Sequence, residues 1–270
     1  MLTPIALPVD LNLLQAQRLL HACMEAGLTV AVPLDQRANM EFLERVFGRL
    51  PWTDDTSIAV RVQAGLDHAA PRVWIGSLER PLIFARAIVA RAAAHWSERT
   101  LKFAFTGLVT EQRRSVLEQF ARAVDDELPD PTAHRLRIRG RLIGRDRALP
   151  TMSRGEAIAL WASRRGRQFP GKLWDEGYYR TLGRAQFVLC PNGDYTWSYR
   201  FYESCLCGAI PVVEDSCPAY EGFRFLRMRD DGVRDAEWSE RAAVANRALA
   251  IERLTIEPAA LRDAVAAAVA

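Results

Sequence analysis

No stretch of this chain approaches the roughly 20 consecutive apolar residues that a membrane-spanning helix needs. Its first residues, MLTPIALPVDLN, lack a basic n-region and hold only a short apolar run, so no signal peptide is expected. Low-complexity tracts and internal repeats are absent. So is a C-x-x-C pair: the cysteines are Cys23, Cys190, Cys205, Cys207 and Cys217, an odd number, and Cys205-Leu-Cys207 has no matching second pair. That pattern argues against a zinc site and for free buried thiols in a reducing compartment. The formal net charge is only +3, which excludes a polyelectrolyte binder by bulk charge. A cytoplasmic location is the expectation, with peripheral membrane association left open. Neither G-x-x-x-x-G-K-[ST] nor G-x-G-x-x-G occurs, so the two commonest phosphate-binding fingerprints are missing.

Strand and helix patterns alternate along the 270 residues, which argues for parallel sheets covered by helices. PIALPV, LTVAVPL, SIAVRVQ and RVWIGS read as strands. LNLLQAQRLLHACMEAG reads as an amphipathic helix closed by Gly27, NMEFLERVFGRL as a second helix, and PLIFARAIVARAAAHW as a third with Pro81 in its first turn. After a link at 97–100 a second set begins. LKFAFTG is a strand ending in a Gly turn, TEQRRSVLEQFARAV a helix capped by Thr110, HRLRIRG a strand, and PTMSRGEAIALWASRRG contains a helix. LWDEGYYRTLGRA is a short helix, QFVLC a buried strand, SYRFYESCLCG a helix and AIPVVE another buried strand. The Ala-rich tail is helical. The predicted domains are 1–97, 98–235 and a helical tail at 236–270. Arginines crowd residues 135–167, a basic face for phosphate, anionic lipid or nucleic acid, or one that is merely solvated.

In parallel α/β sheets, ligands sit where strand C-termini meet helix N-termini. Two such junctions stand out: Phe105-Thr-Gly107 leading to Arg113 and Arg114, and the stretch from Cys190 to Ser198, CPNGDYTWS. Free backbone N–H groups and a positive helix end suit a diphosphate, and Gly107 and Gly193 permit close backbone approach. Arg200 and Glu203, at i and i+3, share one helix face. An Arg there can fork onto phosphate and a Glu can accept from a ribose diol. An intrahelical salt bridge between the two is the plain alternative.

The stretch FVLCPNGDYTWSYRFYESCLCGAIPVVED resembles the exostosin-type glycosyltransferase signature: strand, Cys-Pro-x-Gly-Asp, an aromatic/Ser turn, Arg-Phe-Tyr-Glu, a small-residue helix end, then Gly-x-Ile-Pro-Val. FAFTGLVTEQRRSVLEQF and YYRTLGRAQFVLCP resemble the family's upstream segments. The resemblance covers about 103–120 and 178–215; the first hundred residues and the tail carry none of it. It implies an α/β, GT-B-like architecture: two Rossmann-like domains, the N-terminal one reduced, with a C-terminal helical tail. It further implies sugar transfer from a nucleotide sugar, UDP-linked, to a saccharide or lipid-linked glycan acceptor, as in polysaccharide biosynthesis, with inversion.

Many sugar transferases hold a metal with Asp-x-Asp, and none occurs here. Leaving-group charge would then fall to arginines and helix N-termini, with no metal and no cofactor beyond the donor. The expected donor-binding residues are Gly107, Arg113, Lys172, Asn192, Gly193, Asp194, Trp197, Ser198, Arg200 and Glu203. Arg114 reads as a solvated neighbour, and Tyr195 and Trp197 as stacking or packing rings. Asp10 and Glu79 follow strands and are the candidate bases; helix capping or surface charge is the alternative for each. His21 and His95 fall within helix patterns and read as structural. Three other functions stay open: a fucosyltransferase-like enzyme using a GDP-sugar, an epimerase or hydrolase on the same fold, and a non-catalytic nucleotide-sugar or glycan-binding domain. Nucleic acid is not an expected partner.

Overall fold

The computed structural model describes residues 3–129, 151–155, 157–163 and 166–269. Most of the arginine-rich stretch, including the strand expected at HRLRIRG, lies outside the described residues. The chain divides into two compact α/β units: Met1–Arg91 with Phe169–Asp175 and Leu249–Ala270, and Ala92–Gln168 with Glu176–Ala248.

The first unit holds a four-stranded parallel sheet of β1 (Ile5–Ala6), β2 (Val30–Ala31), β3 (Trp52–Thr53) and β4 (Val60–Arg61), in the order β3-β2-β1-β4. Helix α1 (Leu14–Glu25) connects β1 to β2, and α2 (Arg37–Phe47) connects β2 to β3. Gly27 ends the α1 turn at φ 81°, as its position predicts. The amphipathic reading of α1 is corrected: Leu14 through Met24 are all buried, including Gln15, Gln17, Arg18 and His21. Arg18 stacks on Phe84, 4.0 Å from the ring centroid.

Two further expectations fail in this unit. RVWIGS is a strand, but not of a parallel sheet. Strands β5 (Ala64–Asp67), β6 (Arg72–Ile75) and β7 (Leu78–Arg80) form a separate antiparallel meander. Pro81 also lies outside its helix. Residues 82–85 are buried as a non-helical run, and α3 (Arg86–Ala93) begins only where the Glu25 carboxylate accepts the N–H groups of Arg86 and Ala87, each at 2.6 Å.

The second unit is built on a six-stranded sheet of β8 (Leu101–Leu108), β9 (Thr151–Arg154), β10 (Ile158–Ser163), β11 (Ala185–Cys190), β12 (Ile210–Val213) and β13 (Leu226–Arg227). The order is β13-β12-β11-β8-β10-β9, all parallel except the β9 edge. The helix expected in PTMSRGEAIALWASRRG is instead the β9–β10 pair. Ile158, Leu160 and Trp161 belong to a central strand in register with β8, from Ile158 opposite Phe103 to Ser163 opposite Leu108. Short apolar runs look alike in buried helices and central strands, and pairing decides between them. Helix α4 (Glu111–Ala123) starts at Thr110, whose hydroxyl accepts from Arg113 N at 3.3 Å as expected of an N-cap. Phe103, Phe105, Phe120, Phe187, Leu160 and Leu189 centre the core. Helices α5 (Glu176–Arg184) and α6 (Tyr199–Leu206) flank β11, and the tail forms α7 (Glu240–Leu254) and α8 (Pro258–Ala267).

Arg99 locks α5, β11 and α6 together. Its Nη1 donates to the carbonyls of Gly183 and Ala185, and Nη2 donates to Cys207 O at 3.0 Å. The guanidinium sits 5.3 Å from the Trp96 ring and 5.2 Å from Trp238, and burial pushes its pKa down to about 10. Gly208, at φ 77°, leaves the space: a Cβ there would lie 2.4 Å from Arg99 Nη2. All five cysteines are unpaired. No helix among the described residues is long and apolar enough to cross a membrane.

Arg99→Met removes these bonds and strands buried carbonyls, so it is expected to cost about 3 kcal/mol, read from urea unfolding. Burial also lowers the His21 pKa to about 4, while the unfolded ring keeps the ordinary 6.5. The unfolded chain therefore takes up the extra proton first. Stability holds above pH 6.5 and falls as the pH drops towards 4, by up to about 3 kcal/mol. His21→Leu is expected to flatten that slope in a pH series of denaturation curves.

Candidate functional site

In the second unit, β8 leads on to β10 at one flank, while β11 lies at its other flank. The topological switch point therefore falls between the carboxyl ends of β8 and β11, where an open α/β sheet leaves a crevice for a ligand. Both junctions singled out in the sequence end there.

Arg200, in the first turn of α6, lies across the end of β8. Its Nε donates to Thr106 O at 2.6 Å, and its guanidinium carbon stands 4.4 Å from the Phe105 ring centroid. Gly107, at φ 135°, makes this possible, since a Cβ there would sit 2.7 Å from Arg200 Nη2. Arg113, from α4, reaches in from the other side. Its Nε donates to Asn192 O at 3.1 Å and its Nη1 to Leu108 O at 3.2 Å. A Cβ on Gly193 would lie 2.4 Å from Arg113 Nη2 and displace it. Each glycine thus yields its space to one guanidinium.

The two cations are electrostatic neighbours. Burial and then the charge of Arg200 push the Arg113 pKa down, with Asp194 opposing. Arg200 is 8% exposed, and its Nη1 is buried with no hydrogen-bond partner among the described residues. No ion pair of Arg200 or Arg113 with a carboxylate occurs among the described residues. Two neighbouring guanidiniums, one with a buried N–H that has no partner among the described residues, are an arrangement able to hold an anion.

The loop between β11 and α6 is fixed from below. Asn192 N donates to Glu214 Oε2 at 3.0 Å, and Asn192 Nδ2 to Asp215 Oδ2 at 2.7 Å. Ser198 caps α6 by accepting from Phe201 N at 3.4 Å, and its own N–H donates to the Tyr220 hydroxyl at 2.8 Å. Phe201 stacks on Tyr220 with centroids 3.7 Å apart. Trp197 is buried and edge-on to Tyr199, which is the packing alternative. Tyr195 lies parallel to it and is 38% exposed. Asp194 is exposed beside them.

Glu203 departs from its expected role. It is fully buried. Its carboxylate accepts from the Tyr178 hydroxyl and from Tyr179 at 3.1 Å, with Arg167 Nη2 at 3.8 Å. Arg167 also stacks on Tyr178, 3.6 Å from the centroid. Neither the ribose contact nor the intrahelical pair with Arg200 matches this arrangement, because tertiary partners take both side chains. Tyr178 and Tyr179 were not foreseen; they are the tyrosine pair of the YYRTLG segment, one helix upstream. Burial and the neighbouring Glu203 raise the Tyr178 pKa.

Lys172, Asp10, Glu79 and His21 belong to the first unit, His95 to the second. Lys172 holds its ammonium 5.4 Å from the Phe169 ring. Asp10 is exposed, and its Oδ1 accepts from Asn12 N at 3.0 Å and Asn12 Nδ2 at 3.1 Å, closing the turn before α1. Glu79 lies on the meander's edge strand and pairs with Arg72 Nε at 3.0 Å, so it does not end a parallel strand as expected. His21 is buried 4.6 Å from Phe47, and His95 pairs with Glu176 at 3.1 Å.

The family model described as the RXYLT1 C-terminal domain matches residues 172–228, which include α5, β11, α6 and β12. Two curated proteins, the human and mouse ribitol-5-phosphate xylosyltransferase 1, are each 38% identical to this chain over 63 residues, 23% of it. That match covers 14% of each relative's length. No solved structure matches. The likeness is to glycosyltransferases, and the stretch that the family model matches carries Arg200.

Arg200→Ala and Arg113→Ala are each expected to weaken UDP binding tenfold or more, measured by titration calorimetry. Glu203→Ala is expected instead to cost about 3 kcal/mol of stability, because it orphans buried tyrosine hydroxyls and Arg167. Wild-type UDP affinity in both arginine variants would contradict the assignment.

Proposed function

We propose that the protein transfers a sugar from a nucleotide sugar to a hydroxylated acceptor, with the donor's diphosphate held by Arg200 and Arg113. The observation that carries this reading is the buried Nη1 of Arg200, unpaired among the described residues, beside a second guanidinium at the sheet's switch point. The similarity of residues 172–228 to a domain of xylosyltransferases supports it independently.

In this reading the leaving diphosphate bridges the two arginines, and their charge offsets the charge that grows as the glycosidic bond breaks. The α6 N-terminus adds its dipole. Gly107 and Gly193 keep the crevice open, the exposed Tyr195 ring offers a stacking face, and Asp194 lies within the same loop for sugar hydroxyls. No metal is required, because fixed guanidiniums supply the positive charge. The architecture is of GT-B type, the second unit serving the donor and the first the acceptor. The exostosin-like signature fits that assignment. Inversion by a single displacement follows if an acceptor-side base takes the hydroxyl proton. Xylose as the sugar and ribitol 5-phosphate as the acceptor are the first pair to try, given the names of the relatives. Saccharide and lipid-linked glycan acceptors come next.

A thermal-shift and product screen with UDP-, GDP- and CMP-sugars tests this. UDP-sugars are expected to raise Tm, and transfer from UDP-xylose is expected to proceed unchanged in EDTA. Stabilisation without any product would favour a non-catalytic sugar-nucleotide binder. Full loss of transfer in EDTA, restored by a divalent cation, would refute the metal-free scheme.

A further inference from the structure

The crevice of the second unit has two chemically different sides. Towards the end of β8 stand donors: Arg200 on Thr106 O and Arg113 on Leu108 O. Around the ends of β11 and β12 stand acceptors: the Asn192 amide, and the carboxylates of Glu214 and Asp215, the two residues that follow β12. All five residues belong to the second unit. Asp194 lies in the same loop as Asn192 and is exposed, and its charge acts on Arg113.

Asn192 joins the two sides. Its carbonyl accepts from Arg113 Nε at 3.1 Å, its N–H donates to Glu214 Oε2 at 3.0 Å, and its Nδ2 donates to Asp215 Oδ2 at 2.7 Å. A carboxylate only accepts, so the amide nitrogen is the atom that faces Asp215, and Oδ1 is turned from it. Oδ1 is buried, and it alone of the residue's polar atoms has no hydrogen-bond partner among the described residues. A buried acceptor left open costs free energy until a donor meets it. Diphosphate oxygens are themselves acceptors at neutral pH and cannot meet that need. The ligand that satisfies both sides carries an anion for the guanidiniums and a hydroxyl close to it.

We propose that Asn192 Oδ1 accepts a hydrogen bond from a hydroxyl of the nucleotide sugar and so selects a sugar diphosphate over a bare diphosphate; this deepens the donor site proposed above and rests on it. The ribose and the transferred sugar flank the diphosphate, and a hydroxyl of either has the required chemistry. An analogue without that hydroxyl leaves Oδ1 buried and unmet, which is how a polar site rejects a near-isostere. The contact also serves register. The residue that reads the hydroxyl holds Arg113 Nε through its own carbonyl, so hydroxyl and phosphate are read from one fixed frame.

The test is titration calorimetry on the full chain with pyrophosphate, UDP, 2′-deoxy-UDP, 3′-deoxy-UDP and UDP-xylose, or the matching set for the sugar nucleotide the donor screen returns. Asn192→Ala is expected to bind UDP-xylose about tenfold more weakly and pyrophosphate within about twofold of wild type, which also shows that its arginine site is intact. Asn192→Leu, which keeps the size and lacks the acceptor, should do the same. If the hydroxyl is the ribose's, the variants lose UDP equally, and wild type itself binds one of the two deoxy analogues as weakly as the variants do. If it is the transferred sugar's, UDP binds all three proteins alike and only UDP-xylose separates them. Wild-type affinity for UDP-xylose in both variants would overturn the proposal. So would an equal loss of pyrophosphate, which marks a role through Arg113 alone, or a loss of UDP that neither deoxy analogue reproduces in wild type. Wild-type protein that binds UDP-xylose by this pattern but glycosylates nothing would overturn the transferase reading and leave the Asn192 contact standing. Wild-type protein that binds no sugar nucleotide would overturn both.

Discussion

A guanidinium laid across the end of a strand organises the second unit's site. Arg200 spends Nε on the Thr106 carbonyl and its flat face on Phe105, which holds its charge in place. Nη1 remains buried and, among the described residues, unpaired, beside the equally fixed Arg113. Two like charges held as neighbours in a partly buried crevice repel one another. An anion that bridges them relieves the repulsion and supplies the missing acceptor together. In the proposed reading the strength of the site comes from rigidity: the cations are assembled in folding, and a diphosphate would meet a preformed field.

That rigidity has traceable supports. Arg99 ties the ends of α5 and α6 to the start of β11 through three carbonyls. Glu203 binds α6 to the tyrosine pair of α5, one turn beyond Arg200. The Phe201–Tyr220 stack and the Ser198 cap set where α6 begins. Glu203 shows how a residue of a ligand-binding motif can serve by positioning. Its carboxylate is enclosed, yet it stabilises the helix that presents the guanidinium.

Much of this was legible in the sequence because the signals were local. The strand–loop–helix–strand run around CPNGDYTWSYRFYES, the Thr110 cap and Gly208 past the end of its helix each follow from short-range rules. What stayed hidden depended on distant partners. The β9–β10 pair resembles a helix until β8 lies beside it. Glu203 is three residues from Arg200, but its partners are two tyrosines 24 and 25 residues upstream. Asp10 and Glu79 looked suitable by position, and local bonding to Asn12 and Arg72 takes them.

The most direct test of the central claim is a crystal structure of the UDP complex. The account predicts a phosphate oxygen within hydrogen-bond distance of Arg200 Nη1, a second contact from Arg113, and Glu203 still enclosed by Tyr178 and Tyr179. A diphosphate bound elsewhere, with Nη1 left unpaired, would contradict it.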